Sequence, residues 1–296
     1  MPAWPWFLIA GMFVFNLLAI AFTPLGLNER SIWRLAQITP FVALGTLGAR
    51  HFRHHLRLHT LLTGLSFLLV AWPVLRIYNH VTMHLSGALP LADPWLAASD
   101  AAIGFSWSEY VRWIDAHPRL LTAMELSYGG LTGYTIALFL VLLAGRNHGD
   151  RCPELIVLFV STAVLCASVG ALFPAMGTAT HYGLTREMLS HFDPLAGSYH
   201  LPSFTALRSG GPHLLDLSRM PGLVTMPSFH TAMGIIAIYC ARGNSWQFPA
   251  MLALNLLMIA STPLFGSHYG IDLIAGSGIA FAVILVHHWF CSRTNH

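Results

Sequence analysis

Apolar residues in this chain gather into long runs separated by short polar breaks. A helix rises about 1.5 Å per residue, so roughly 20 apolar residues cover the hydrocarbon thickness of a bilayer. On that template about eight runs are candidate transmembrane helices. They are Trp6 to Phe22, Ile32 to Ala49, Leu58 to Tyr78, Leu120 to Ala144, Leu155 to Phe173, Met226 to Ala241, Phe248 to Phe265 and Ile271 to Phe290. Pro24, Pro40 and Pro73, near the ends of the first three, predict kinks or frayed ends. The pattern predicts an all-α, polytopic membrane helical bundle. Two connections are long, about 40 residues around Asn79 to Arg119 and about 50 around Pro174 to Thr225, and loops of that size are usually functional. Two crossings separate them, so they share one side of the membrane. From Leu91 to Ile114 the first loop mixes aromatic, apolar and charged residues in a helical rhythm, as an interfacial helix does, with Trp and Tyr suited to the headgroup zone. The second loop is rich in Pro, Gly and His, which suits either a lid over a polar site or an irregular surface loop.

Composition agrees with a membrane chain: 55% of the 296 residues are hydrophobic and only 9% charged, far from the values of a soluble domain. The net charge of +3 is reached without any lysine, which excludes Schiff-base chemistry and a lysine phosphate clamp. Cys152, Cys166, Cys240 and Cys291 have no CxxC spacing and read as packing residues, not as a disulfide framework or thiolate metal site. The short connections opposite the long loops are dense in arginine, with Arg50, Arg53, Arg57, Arg146, Arg151, Arg242 and Arg293. Arginine density in short loops predicts cytoplasmic termini and extracytoplasmic long loops. The first run lacks a preceding basic residue and a following small-residue cleavage site, which predicts a retained anchor. Nothing implies a nucleic-acid partner.

Against this apolar background, Met226-Pro227-Ser228-Phe229-His230 and Gly266-Ser267-His268-Tyr269-Gly270-Ile271-Asp272 place polar groups at the start of two apolar runs. Ser228 is a good N-cap after Pro227, which puts His230 in the first turn of a helix. If a helix begins by Gly266 or Ser267, His268 and Asp272 share one of its faces. A carboxylate there accepts the proton of one imidazole nitrogen and leaves the other free to act as nucleophile or base. Asp272 is also the only acidic residue after Asp216, and a lone carboxylate in apolar surroundings is a functional-site candidate. A single buried histidine is more often satisfied core than catalyst; two at helix starts on one membrane face, one with its own carboxylate, weigh against that reading. Two histidines and an aspartate could also hold divalent iron or zinc, but neither HExxH nor a third histidine at ligand spacing is present. His80 and His84, and the run from His51 to His59, lack an adjacent carboxylate. Glu125, just inside the fourth run, calls for an interior basic partner.

The pair PSFH and SHYGID resembles the second and third signature motifs of the type 2 phosphatidic acid phosphatase superfamily. The form His-Tyr-x-x-Asp is similar to the branch containing the aureobasidin-resistance protein, the inositol phosphorylceramide synthase, and its bacterial relatives. Supporting fragments are Phe173-Pro174-Ala175-Met176-Gly177, Asp100-Ala101-Ala102-Ile103-Gly104 and Leu207-Arg208-Ser209-Gly210. The resemblance covers most of Leu91 to Ala282. It implies a six-helix catalytic core within residues 81–296, with residues 1–80 an accessory set of helices. Two departures stand out: Ser261-Thr262 occupy the places of the phosphatase form's Ser-Arg, and the first-motif lysine is missing. Arg208, with Arg186 and Arg219 as substitutes, is the candidate to neutralise phosphate in their stead.

The resemblance implies a membrane phosphotransferase or phosphatase working through a phosphohistidine. His268 would attack phosphorus, oriented by Asp272, while His230 gives a proton to the departing oxygen and later takes one from water or a lipid alcohol. Ser228, Arg208, Tyr269 and Thr262 are the candidate substrate contacts. The substrate would be a phospholipid or other lipid phosphate in the bilayer, with no cofactor and no metal. The expected location is a bacterial inner membrane, with the site on the periplasmic face. A plain lipid phosphatase and a non-catalytic lipid transporter or scaffold are the alternatives.

Overall fold

The computed structural model of the chain describes residues 4–144 and 151–294. Every apolar run is helical: α1 Trp4–Phe22, α2 Glu29–His51, α3 Leu56–Leu85, α6 Pro118–Gly129 with α7 Leu131–Ala144, α8 Arg151–Leu172, α11 Phe229–Cys240, α12 Gln247–Phe265 and α13 Gly270–Thr294. The long loops add α4 Asp93–Ala102, α5 Trp107–Asp115, α9 Thr178–Tyr182 and α10 Leu201–Arg208. The chain is an all-α integral membrane protein of the polytopic helical-bundle type, its one sheet being a short parallel pair that sets Leu25 beside His213 and Leu27 beside Leu215.

The expected eight spans are fewer by length and apolarity. Among the described residues five helices qualify, α1, α3, α8, α12 and α13, or six if α6 and α7 count together. At 12 residues α11 is short, about 18 Å at helical rise, and α2 carries Glu29, Arg30, Arg34 and Arg50. The run Leu120 to Ala144 is two helices bent by 57°. Gly130 stands at that break, where a side chain would press on the Leu126 carbonyl at 2.8 Å. Pro40 and Pro73 lie inside continuous helices and break neither, whereas Pro24 lies beyond the end of α1. Glu125 is exposed and has no ion-pair partner among the described residues, so the interior partner expected for it is absent there. Arg146, used for the orientation, lies outside the described residues, as does the side chain of Arg293.

Helix α11 lies against α8, α12 and α13 around a core of Leu158, Met233, Ile236, Met258 and Ala280. Helix α3 packs on α1, α2 and α8 and joins the N-terminal helices to this bundle. At one end the two long loops fold over it. In α5 the Ser106 side chain caps the first turn, and Trp107, Val111 and Ile114 face inward. Trp107 is therefore buried, contrary to a headgroup position, whereas Trp95 and Trp113 are exposed. Its indole donates to the Pro263 carbonyl at 2.8 Å and the Tyr110 hydroxyl to the Ala260 carbonyl at 2.7 Å, tying the first loop to the end of α12.

Candidate active site

Pro227 leads into Ser228, whose side chain accepts from the Thr231 N–H at 3.3 Å and caps α11, so His230 stands in the first turn as the motif predicts. The second segment differs from expectation: α13 begins at Gly270, and His268 lies in the turn before it. Ser267 adopts φ 54 in that turn. The intended pairing still forms, with His268 Nδ1 3.3 Å from Asp272 Oδ2. That same oxygen accepts from the Tyr269 N–H at 2.9 Å, which fixes the carboxylate against the turn. On the other side of the ring, His268 Nε2 is 3.3 Å from Ser228 Oγ.

Donor accounting favours one tautomer along this line. Ser228 Oγ accepts from the Thr231 N–H and from the Thr231 hydroxyl at 3.1 Å, so its own proton is left for His268 Nε2. In that tautomer the Nδ1 proton goes to Asp272 and Nε2 carries the lone pair. His268 and Asp272 are buried. The His230 ring is 6.3 Å from that of His268 between centroids, the two planes inclined at 65°. The Tyr128 ring stacks on His230 at 4.5 Å. The Ser228 N–H donates to the Asp272 carbonyl at 3.0 Å, and Gly276 of α13 lies against the Ser228 carbonyl where any side chain would overlap it. Close approach at this glycine lets both motif segments share one point.

The other proposed contacts go elsewhere. Tyr269 is fully buried, and its hydroxyl donates to Asp93 Oδ1 at 2.9 Å. Thr262 Oγ1 donates to the Ile259 carbonyl at 2.8 Å, an acceptor left without its helical partner because Pro263 has no N–H. Arg208 donates to the Ser86 carbonyl at 2.7 Å and the Leu89 carbonyl at 2.6 Å, holding the chain that leaves α3. Arg186 is an exposed residue 3.9 Å from Asp193. Among the described residues neither arginine contacts the two histidines.

What the motifs alone did not reveal is the scaffold of carboxylates around them. Asp93 accepts from the Met176 and Gly177 N–H groups at 2.9 Å as well as from Tyr269. Asp100 accepts from the Gly270 N–H at 2.9 Å and the Ile271 N–H at 2.8 Å, at the start of α13. Burial raises the Asp100 pKa, and these two donors pull it back. Gly177, at φ 93, presses on Ser267, and the Thr178 N–H donates to the Ser267 carbonyl at 3.0 Å. The FPAMG fragment and the SHYGID turn are thus one joint. His200, buried nearby with Nε2 3.1 Å from the Met176 carbonyl, is a histidine the motifs do not contain. Burial holds its pKa below the ordinary value, the Met176 carbonyl and Asp93 opposing and His268 adding to the shift.

An imidazole with a carboxylate at Nδ1 and a second imidazole close by suits nucleophilic attack or proton transfer. A family model described as PAP2_3, PAP2 superfamily, matches residues 94–286, which include all of these segments. The chain belongs to the PAP2 superfamily, and membership together with its apolar helices supports a membrane protein of phosphatase or phosphotransferase type. Comparison with curated proteins and with solved structures gave no match.

Proposed function

We propose that the chain is a membrane phosphotransferase or phosphatase that acts on a phospholipid or lipid phosphate through a phosphohistidine formed on His268. The observation that carries this reading is the line Ser228–His268–Asp272, in which the His268 ring lies between a hydroxyl and a carboxylate, each at 3.3 Å. Nε2 attacks phosphorus, and Asp272 takes up the positive charge that develops on the ring. The incoming group displaces Nε2 from Ser228, whose hydroxyl then donates to a phosphoryl oxygen; such a donor is typically worth about 10²–10³ in rate. Protonated His230 delivers its proton to the leaving oxygen, then takes one from water or from a lipid alcohol that resolves the intermediate.

Transfer of a phospho-headgroup to a lipid alcohol, as in the inositol phosphorylceramide synthase branch, is favoured over plain hydrolysis of a phosphomonoester. No arginine or lysine contacts the His230–His268 gap among the described residues. A phosphodiester brings one negative charge and a monoester up to two, so a cation-poor site suits the diester. Residues 81–296 would be the catalytic unit, residues 1–80 an addition to it, and the site would face the periplasm of a bacterial inner membrane.

Purified His268→Ala protein should turn over no phospholipid, and a variant with full activity would sink the assignment. Wild-type protein given a phospholipid labelled in its phosphate should hold acid-labile, base-stable label. Lipid mass spectrometry after incubation with a defined phospholipid panel, with and without ceramide or diacylglycerol, separates the outcomes. Free phosphate would mean phosphatase, and a new headgroup-bearing lipid would mean transferase.

A further inference from the structure

Arg76 stands within the apolar span α3, ahead of the family match, and has a guanidinium with no counter-charge. It lies over the Trp72 ring at 4.7 Å, and among the described residues no carboxylate and no hydrogen-bond acceptor meets it. A cation at membrane depth is costly and ordinarily finds a partner. The missing partner is therefore the anomaly to be explained.

Its electrostatic neighbour is Tyr199 of the second long loop, a residue that is half exposed. Tyr199 in turn interacts with the Tyr128 hydroxyl. The Tyr128 oxygen is buried without closing a full hydrogen bond, and its ring stacks on His230. Thr225 Oγ1, beside the turn that holds His268, is likewise buried and unpartnered. Buried polar atoms without partners are rare and mark places where another molecule supplies them. Trp72, the ring under Arg76, also lines a groove of about 320 Å³ together with Ile38, Phe41, Pro73 and Leu217 and with Arg34 and Gln37. Trp72 thus joins an apolar groove edged by Arg34 to Arg76, and Tyr199 and Tyr128 stand between Arg76 and His230.

We infer that Arg76 binds the negative charge of a phospholipid whose chain lies in the α2–α3 groove, so that an accessory helix supplies the cation that the two histidine motifs lack. The inference rests on the function proposed above for what the lipid is used for, but not for its binding. Arg76 has no electrostatic interaction with His230 or His268, so its work is capture and positioning of the headgroup, and its loss acts on affinity more than on the chemical step.

The test uses His268→Ala protein, which binds without turnover, and a radiolabelled short-chain phosphatidylglycerol in neutral detergent micelles. Equilibrium binding should weaken about tenfold in His268→Ala/Arg76→Gln, the loss of roughly one charge-assisted contact. The Arg76→Lys counterpart, which keeps charge and fold, should stay within about threefold. In the His268-intact protein, Arg76→Gln should raise KM with kcat little changed. Equal affinity of the Gln and Lys variants, or no binding by His268→Ala itself, overturns the inference. Absence of turnover by wild-type protein overturns the proposed function instead, and leaves the binding comparison to decide on Arg76.

Discussion

Asp93→Ala is the perturbation that most directly tests how the site is held. The Asp93 carboxylate takes the N–H groups of Met176 and Gly177 and the hydroxyl of Tyr269, each at 2.9 Å, and it is buried. A hydrogen bond to a charged group contributes about 1.5–3 kcal/mol, and removing the acceptor strands its donors. Three such bonds that share one acceptor are not additive, so the loss should fall near 4 kcal/mol, not at the full sum. Tyr269→Phe removes one of the three and leaves the backbone donors paired, and should cost about 1–2 kcal/mol. Unfolding titrations of both variants in mixed micelles measure the difference. Turnover should fall further than stability explains. The FPAMG joint fixes Ser267 and hence His268, and a misplacement of about 1 Å in a reacting group can cost 10²-fold in rate. If Asp93→Ala unfolds within about 0.5 kcal/mol of wild type, the carboxylate is not a structural acceptor and the reasoning fails.

Gly276→Ala should push α13 away from the Ser228 carbonyl, at about 1–3 kcal/mol in stability. Its turnover should fall about 10²-fold, while Gly278→Ala, which meets open space, should match wild type in both assays. Asp115 accepts the N–H groups of Ser190, His191 and Phe192 at 2.7, 2.8 and 2.6 Å. Burial works against its charge, but these donors outweigh burial and hold its pKa below the usual carboxylate value. A depressed folded-state pKa contributes stability that is present above the unfolded value, about 4, and is lost as pH falls through the folded one. Melting of wild type should therefore decline more steeply than that of Asp115→Asn as pH is lowered below about 4; parallel curves would refute this.

The helices were legible because burial in lipid imposes a pattern that needs no knowledge of the fold: each apolar run became a helix, and the errors came where local chemistry competes with length. Gly129-Gly130 broke one run, charge along α2 took it below span quality, and α11 proved short because the chain approaches it through an extended segment ending at Ser228. The motif histidines were legible for the opposite reason, as polar groups where lipid-facing sequence has none. The residues that hold them were not legible, since Asp93, Asp100 and Asp115 act on backbone N–H groups that lie 75 to 171 positions away. No local period records such a bond, because the acceptor's partner is a main chain that every sequence has.

Arg76 and Arg208 show how the same blindness misassigns function. Arg208 lies in a Gly-rich loop and looks free in sequence, yet its guanidinium is spent on the carbonyls of Ser86 and Leu89. Arg76 lies in an apolar run, where a lone charge is itself the signal, and among the described residues neither a carboxylate nor a carbonyl meets it. The useful sequence question about an arginine is therefore what its surroundings could offer it. In a polar loop, carbonyls nearby can satisfy a guanidinium at little cost. In an apolar span the chain offers almost none, and an arginine kept there without a carboxylate points to a partner that arrives with the lipid.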